Sequence, residues 1–366
     1  MSQQPDTDRY HRQMLLPGFG SEGQRRLLDS TVLILGCGAL GSMVADMLAR
    51  AGVGHLVIVD RDYAELSNLQ RQVLYDERDV AGALPKAEAA KLRIGRINSQ
   101  VKVDAAVDDV DYTNIGRYAS AADLIVDGLD NFESRYLAND YAVRNGLPYL
   151  YGGAVGTSGM AYVILPRTTG GDAAWEMGAS GNRSTPCLRC LFEQAPPPGE
   201  APTCETAGVL GPAVAMVANF QAAEALKLLT GNLEHVSQTM LSIDLWSNDL
   251  LQLKVSGSLK PDCPCCVRHD FEFLDGRSGT GATALCGRDA VQLVDRERRG
   301  GIWLEEIARR LRQYGPVVTN EFLVRARIDD AGQSFELTLF ADGRAIVKGT
   351  GDPAKARSVF ARYIGT

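Results

Sequence analysis

Residues 31–60 read TVLILGCGALGSMVADMLARAGVGHLVIVD, and residues 61–72 continue RDYAELSNLQRQ. An apolar run, Val32 to Leu35, enters the glycine turn Gly36-Cys37-Gly38-Ala39-Leu40-Gly41. A helical stretch follows, then a second apolar run, Leu56 to Val59, that ends on Asp60. Strand, tight turn, helix and strand make one βαβ unit of a parallel sheet. The glycines let backbone N–H groups approach a phosphate at a helix N-terminus, where the dipole favours anions. Asp60 falls where an acid accepts hydrogen bonds from ribose hydroxyls. So far the pattern says only "nucleotide"; it does not choose between NAD and ATP. Asn68 and Arg71, just past the second strand, and Lys86 further on tilt the choice toward ATP, because a triphosphate carries more charge and calls for cationic side chains and a metal.

Working outward, the 366 residues fit two domains, a large one and a small one. A hydrophobic content of 45% allows a substantial core. The net charge of −7 excludes a general role on nucleic acid or a membrane surface, so any polyanion must be met locally by a few Arg and Lys. The start, MSQQPDTDRYHRQ, has no apolar segment of the signal-peptide kind. The longest nearly apolar stretch, Gly208 to Phe220, is too short to span a bilayer. A cytoplasmic setting is therefore expected, and there eight cysteines point to metal or catalysis before disulfides.

Residues 9–30 read as a helix, a loop and a second helix leading into the first strand. Arg12 lies in this arm, where an Arg is ordinarily a solvated surface charge. A helix over Pro85–Asn98 with Pro in its first turn is expected, then strands over Gln100–Val107 and Asp123–Val126. The latter ends on Asp127-Gly128-Leu129-Asp130-Asn131, at the strand end that faces the ligand crevice. Asp130 there either holds magnesium on the phosphates or caps a helix over 131–145, and the two roles are compatible. Strands over Pro148–Val155 and Met160–Leu165, a Gly/Ser-rich loop over Thr168–Thr185, a Pro-rich connection over Ala195–Pro202, an apolar helix over Gly211–Thr230 and an antiparallel pair over Met240–Leu245 and Leu250–Val255 complete this part.

Two cysteine pairs, Cys187-x-x-Cys190 and Cys263-x-x-Cys266, offer four thiolates as two hooks, the pattern of a closed structural zinc site. Cys265 and His269 are alternative ligands. Cys204 stands apart after the Pro-rich segment and reads either as a nucleophilic thiol on a loop or as a small packed residue at a helix start. Cys37 and Cys286 read as packing residues. From Gly276 the composition changes. The tail reads as a strand (Ala284–Val294), a helix (Trp303–Tyr314), a strand (Asn320–Ile328), a hairpin about Asp342-Gly343 and a final helix (Pro353–Tyr363). This is a small α+β module of split-βαβ flavour with no evident catalytic motif.

Taken together, RYHRQMLLPGFG, GCGALG, SNLQRQ, GLDN (128–131), CLRC, TCETAGVLGP and CPCC make residues 9–270 resemble the bacterial E1-like ThiF/MoeB/HesA adenylyltransferases. The resemblance implies a Rossmann-like α/β adenylation domain over 1–275, with a mixed, mostly parallel sheet, and leaves 276–366 as a small C-terminal α+β domain. It implies a homodimer that uses ATP and Mg2+ to adenylate the C-terminal glycine of a ubiquitin-like sulfur carrier ending in Gly-Gly, with a separate sulfur donor protein. By motif, Gly36, Gly38 and Gly41 line the phosphates and Asp60 binds ribose. Asn68, Arg71, Gln72 and Lys86 contact the nucleotide, Asp130 supports magnesium with Asn131 beside it, and Arg12 reaches the partner subunit's ATP. Cys187, Cys190, Cys263 and Cys266 match zinc ligands, and Cys204 matches the thiol that links to the carrier in the thiamine branch. The context of Cys204 favours the thiamine side over molybdopterin-carrier activation. The other readings are an NAD-dependent oxidoreductase, which leaves SNLQRQ and the cysteine pairs unexplained, and a non-catalytic binding module, against which the intact charged set argues.

Overall fold

The computed structural model describes residues 7–167, 183–194, 206–278, 284–285, 289–294, 304–330 and 332–364. A 3-10 turn, Asp8–Tyr10, leads into α1 (His11–Met14) and α2 (Gly20–Asp29), and then β1 (Thr31–Leu35), α3 (Ala39–Ala51) and β2 (His55–Val59) form the βαβ unit. A 3-10 turn, Leu66–Asn68, precedes α4 (Glu77–Ala81), α5 (Lys86–Ile97), β3 (Lys102–Ala106), α6 (Ile115–Ala119), β4 (Leu124–Asp127) and α7 (Phe132–Asn145). The chain continues through β5 (Tyr149–Val155), β6 (Ser158–Ile164), α8 (Leu188–Leu191), α9 (Gly211–Thr230), β7 (Thr239–Asp244) and β8 (Asp249–Lys254). Most expected elements are present with ends trimmed by a residue or two.

Among the described residues these strands form one sheet in the order β3-β2-β1-β4-β5-β6-β7-β8. It is parallel from β3 through β5 and antiparallel from β5 to β8. Val32 to Leu35 are fully buried, as a central parallel strand covered on both faces requires. Their side chains alternate. Val32 and Ile34 join α3, α5 and α9 in one core, while Leu33 and Leu35 join α6 and α7 in another. Strand order reverses between β1 and β4, so the crevice for a ligand opens at the carboxyl ends of those two strands.

The second sheet is built from β9 (Ala284–Leu285), β10 (Ala290–Val294), β11 (Val317–Thr319), β12 (Leu323–Asp330), β13 (Gln333–Phe340) and β14 (Arg344–Lys348), with α10 (Leu304–Leu311) and α11 (Pro353–Tyr363). Its order is β11-β12-β13-β14-β10-β9, every pairing antiparallel. Counting through the pairings, β10 and β11 run the same way with three strands between them, and α10 crosses over from one to the other, a wide split βαβ unit. The one strand expected over 284–294 is two short ones, β9 and β10. The expected strand over 320–328 begins at Leu323 and is preceded by β11. The turn at Asp342-Gly343 forms as expected, with Gly343 at φ 93°. Both helices cover one face of this sheet. The other face packs Leu323, Phe340, Ile346 and Ala290 onto Tyr63 and Ala83, in the loops that follow β2 in the first sheet.

Candidate active site

At the end of β1 the chain turns through Gly36 at φ 82°, a conformation that suits glycine. A methyl group on Gly36 would sit 2.6 Å from the Gly128 carbonyl oxygen, and one on Gly41 would sit 1.9 Å from the Gly36 oxygen. Gly36 therefore lets the β1 and β4 turns touch, and Gly41 lets α3 close onto the β1 turn. Gly38 differs: a Cβ there would meet only Gln72 Nε2, at 3.8 Å, so its surface faces open space. Gly38 is also the N-cap of α3 and brings no side chain to the first-turn N–H groups. Unsatisfied N–H groups at the positive end of a 13-residue helix make an anion site.

Asp60, at the end of β2, is buried and fixed by two backbone donors, Cys37 N–H at 2.6 Å and Asp62 N–H at 2.7 Å. Each carboxylate oxygen keeps a further lone pair for a ribose hydroxyl. Burial pushes its carboxyl up, and the Lys86 ammonium opposes that. Lys86 opens α5, is buried, and donates to Asp62 at 3.2 Å. Asn68 and Gln72 are both buried. Asn68 Oδ1 accepts the Glu65 N–H at 3.2 Å, which leaves its NH2 group as the donor toward a ligand. Gln72 lies against Gly38, and its Oε1 is buried and has no partner among the described residues, an acceptor left for a hydroxyl or amine donor beside the anion site. Arg71 is half-buried, donates to the Ser67 carbonyl at 2.8 Å, and pairs with no carboxylate among the described residues. Cys37 lies under this turn, its thiol pushed up to about 12 by burial, so it is a packing residue as expected.

On the β4 side, the capping alternative for Asp130 fails: the N-cap of α7 is Asn131, whose side chain accepts Ser134 N–H at 2.9 Å. Asp130 is exposed and accepts from Asn131 Nδ2 at 3.2 Å, so its carboxylate is available to a cation in the crevice. Beneath this loop lies a network the sequence did not expose. Buried Arg135 donates to Asp127 at 3.1 Å, to Leu129 O at 2.7 Å and to Gly152 O at 3.0 Å, and Tyr149 donates to Asp127 at 2.8 Å. Its one sequence signal was a charge on the buried face of α7. The glycine turn with its helix N-terminus, a buried carboxylate for the ribose, the Asn68 amide donor and two cations together fit a nucleoside triphosphate.

One expected residue does not join this constellation. Arg12 is exposed on α1, and its neighbour Gln13 donates to Ala51 O at 2.6 Å, at the C-terminal end of α3. The glycine turn is at the other end of that helix, about 20 Å away at 1.5 Å per residue. Cys204 lies outside the described residues, as do Cys286 and most of the Gly/Ser-rich loop and the Pro-rich connection.

The four paired cysteines converge behind α7. Their sulfur atoms all lie within 4.8 Å of one another, with Cys187–Cys263 at 3.6 Å, Cys190–Cys266 at 3.5 Å and Cys187–Cys190 at 3.9 Å. Tetrahedral Zn–S bonds of about 2.3 Å would set sulfurs about 3.8 Å apart, so the group can hold a metal. Cys265 is not in the cluster; Asn139 Nδ2 donates to its sulfur at 3.2 Å. His269 stacks on Phe271 instead.

Comparison with known proteins agrees with this geometry. The ThiF family model matches residues 10–265. The sulfur carrier protein ThiS adenylyltransferase of Bacillus subtilis is 44% identical over 361 residues, spanning 98% of this chain and 100% of the relative. The sulfur carrier protein adenylyltransferase of Thermus thermophilus is 41% identical over 261 residues, 71% of this chain and 91% of the relative. Among solved structures, E. coli MccB with ATP superposes with a TM-score of 0.57 at 24% identity, over 71% of this chain and 75% of that one, a likeness of fold.

Proposed function

The chain belongs to the ThiF family, and from that premise we propose that it adenylates the C-terminal glycine of a ubiquitin-like sulfur carrier with ATP, for sulfur transfer in thiamine biosynthesis. The observation that carries the reading is the anion site at Gly38 with Asp60, Asn68, Arg71, Gln72 and Lys86 around it, on a chain that matches a ThiS adenylyltransferase along its whole length. An NAD-dependent reaction would leave Arg71 and Lys86 without a task.

In the reaction the carrier's carboxylate oxygen attacks the α-phosphorus of ATP. An acyl-adenylate forms and pyrophosphate leaves. A carboxylate is a poor acylating group until its oxygen belongs to a good leaving group, and the protein's part is positioning and charge neutralisation. Asp60 orients the ribose. The α3 N-terminus and Asn68 hold phosphate oxygens, and Arg71 and Lys86 balance the charge that moves onto pyrophosphate. Asp130, with Asn131 beside it, would hold Mg2+, which supplies further neutralisation on the phosphates. Cys187, Cys190, Cys263 and Cys266 would hold Zn2+ as a closed structural site. Cys204 would then attack the adenylate's carbonyl carbon, losing its thiol proton to water as AMP leaves, and so link to the carrier as a thioester; a sulfide-level nucleophile from a donor protein would displace the Cys204 thiolate and leave the carrier as a thiocarboxylate.

Arg12, at the wrong end of α3 for its own site, fits a homodimer in which each subunit's Arg12 serves the partner's ATP. We place the chemistry in residues 1–275 and treat 276–366 as a separate α+β domain of a cytoplasmic enzyme. Among the described residues, no helix is long and apolar enough to cross a membrane. The carrier needs an exposed seat, and we take β8 as that seat. All its residues are exposed at the sheet edge, and Leu250, Leu251, Leu253 and nearby Trp246 present apolar surface. The test is carrier-dependent ATP–pyrophosphate exchange. Arg71→Ala should lower it by about a hundredfold or more, whereas Cys204→Ala should spare exchange and impair sulfur transfer. Exchange intact in Arg71→Ala would refute the assigned role.

A further inference from the structure

The second sheet does not lie on the first at random. Its open face contacts the loops that carry the nucleotide ligands. Asn320 donates to the Gly82 and Ala83 carbonyls at 3.0 and 3.1 Å, Arg344 to the Val107 carbonyl at 2.9 Å, and Gln292 to Asp109 at 2.8 Å. The tightest grip is on Tyr63 and Glu65. Tyr63 is buried, donates to Glu336 at 3.0 Å, and lies 5.0 Å beneath the Arg325 guanidinium and 5.3 Å from the Lys348 ammonium. It also bridges to Pro85, the residue before Lys86. Lys348, on β14, pairs with Glu65 and lies 3.5 Å from Glu336.

Glu65 is the N-cap of the 3-10 turn that ends on Asn68. Its side chain accepts the Asn68 N–H while Asn68 Oδ1 accepts the Glu65 N–H, a reciprocal cap. The Arg71 and Gln72 N–H groups in turn both bond to the Asn68 carbonyl, at 3.0 Å. One line of contacts therefore runs from Glu336 and Lys348 through Glu65 to the three residues placed on ATP.

We propose that Lys348 of the C-terminal sheet is a positioning residue for the nucleotide site: by holding Glu65 it fixes the turn that aims Asn68 and sets Arg71 and Gln72. The C-terminal sheet thereby forms part of the adenylation machinery without touching the substrate. Burial works against the charge on Lys348, and Tyr63, Glu65 and Glu336 more than offset it, so the ammonium persists across the working pH range. The proposal rests on the nucleotide reading above.

The test uses the full chain. Lys348→Met keeps the stem and removes the charge. It should raise the KM for ATP in carrier-dependent pyrophosphate exchange by about five- to tenfold, the scale of one ion pair, with kcat within about twofold. Lys348→Arg should restore the KM. Glu65→Gln keeps a capping oxygen but loses the pair, so it should reproduce the effect, and the two changes together should cost no more than either alone. In an Asn68→Ala background Lys348→Met should add less than about twofold. A wild-type KM in Lys348→Met, or the same fold-change in both backgrounds, overturns the proposal. Were Lys348→Met to melt below the assay temperature, Glu65→Gln alone decides it. Wild-type protein that fails to exchange would instead sink the adenylation reading, and direct ATP binding by calorimetry then still tests Lys348.

Discussion

Asp140 on α7 illustrates how a single buried carboxyl registers in stability. It is 1% exposed, accepts Phe273 N–H at 3.1 Å through one oxygen, and its Oδ1 accepts no hydrogen bond among the described residues. Burial is the largest influence and pushes its pKa up to about 6 from an ordinary 3.8. The folded state thus holds this proton more tightly than the unfolded chain does. The stability the group contributes is full below about pH 4 and is lost as pH rises through about 6, at most about 3 kcal/mol in all. Asp140→Asn should flatten that loss: the gap in denaturation free energy between variant and wild type should shift in the variant's favour from pH 4 to 7. A gap that stays constant with pH would refute the assignment. The residue scale is also where the sequence was unevenly legible. The places of Gly38 and Asp60 in the fold were legible because the βαβ pattern fixes them locally, and that of Lys86 because Pro85 marks the start of α5. Arg135, Tyr149 and Gln72's orphan oxygen were not, since each takes its meaning from groups distant in sequence or on another element.

Elements were most legible where their stop signals are covalent. Helix α9 runs from Gly211 to Thr230 as expected, because Pro212 sits in its first turn and Gly231 closes it at φ 80°. Strand pairing within the C-terminal sheet was less so, since β9 and β10 share one apolar run. The short helix α8 is the element that a metal on the four cysteines would hold most directly. Cys187 is its N-cap and Cys190 lies within it, while Cys263 and Cys266 belong to a stretch with no long helix or strand. Without a shared ion the four thiols have little reason to stay together. Stripping the metal from protein that contains it should lower the melting temperature by several degrees and expose 187–194 to protease. Adding zinc should reverse both. A melting curve unmoved by loss of the metal would refute a structural role.

At the scale of the whole molecule, an Arg12 that serves the partner's ATP, as proposed, would make the active unit larger than one chain. Arg12→Ala and Arg71→Ala should each be nearly inactive alone. Mixed and allowed to exchange subunits, they should recover about a quarter of wild-type activity, since half of the dimers then carry one intact site of two. No recovery, with exchange verified by mass, would place Arg12 outside the partner's site. The same scale shows an unfinished margin. Among the described residues, one side of the large sheet ends on β3, and the other ends on β8, whose backbone edge pairs with no further strand and whose leucines are exposed. A bare rim of this kind is sticky toward any strand that comes near. Produced in excess, the protein should therefore be limited by self-association rather than by folding. Were the carrier to seat there, as proposed, co-producing it should raise the yield in solution, and a yield unmoved by the carrier would refute that seat.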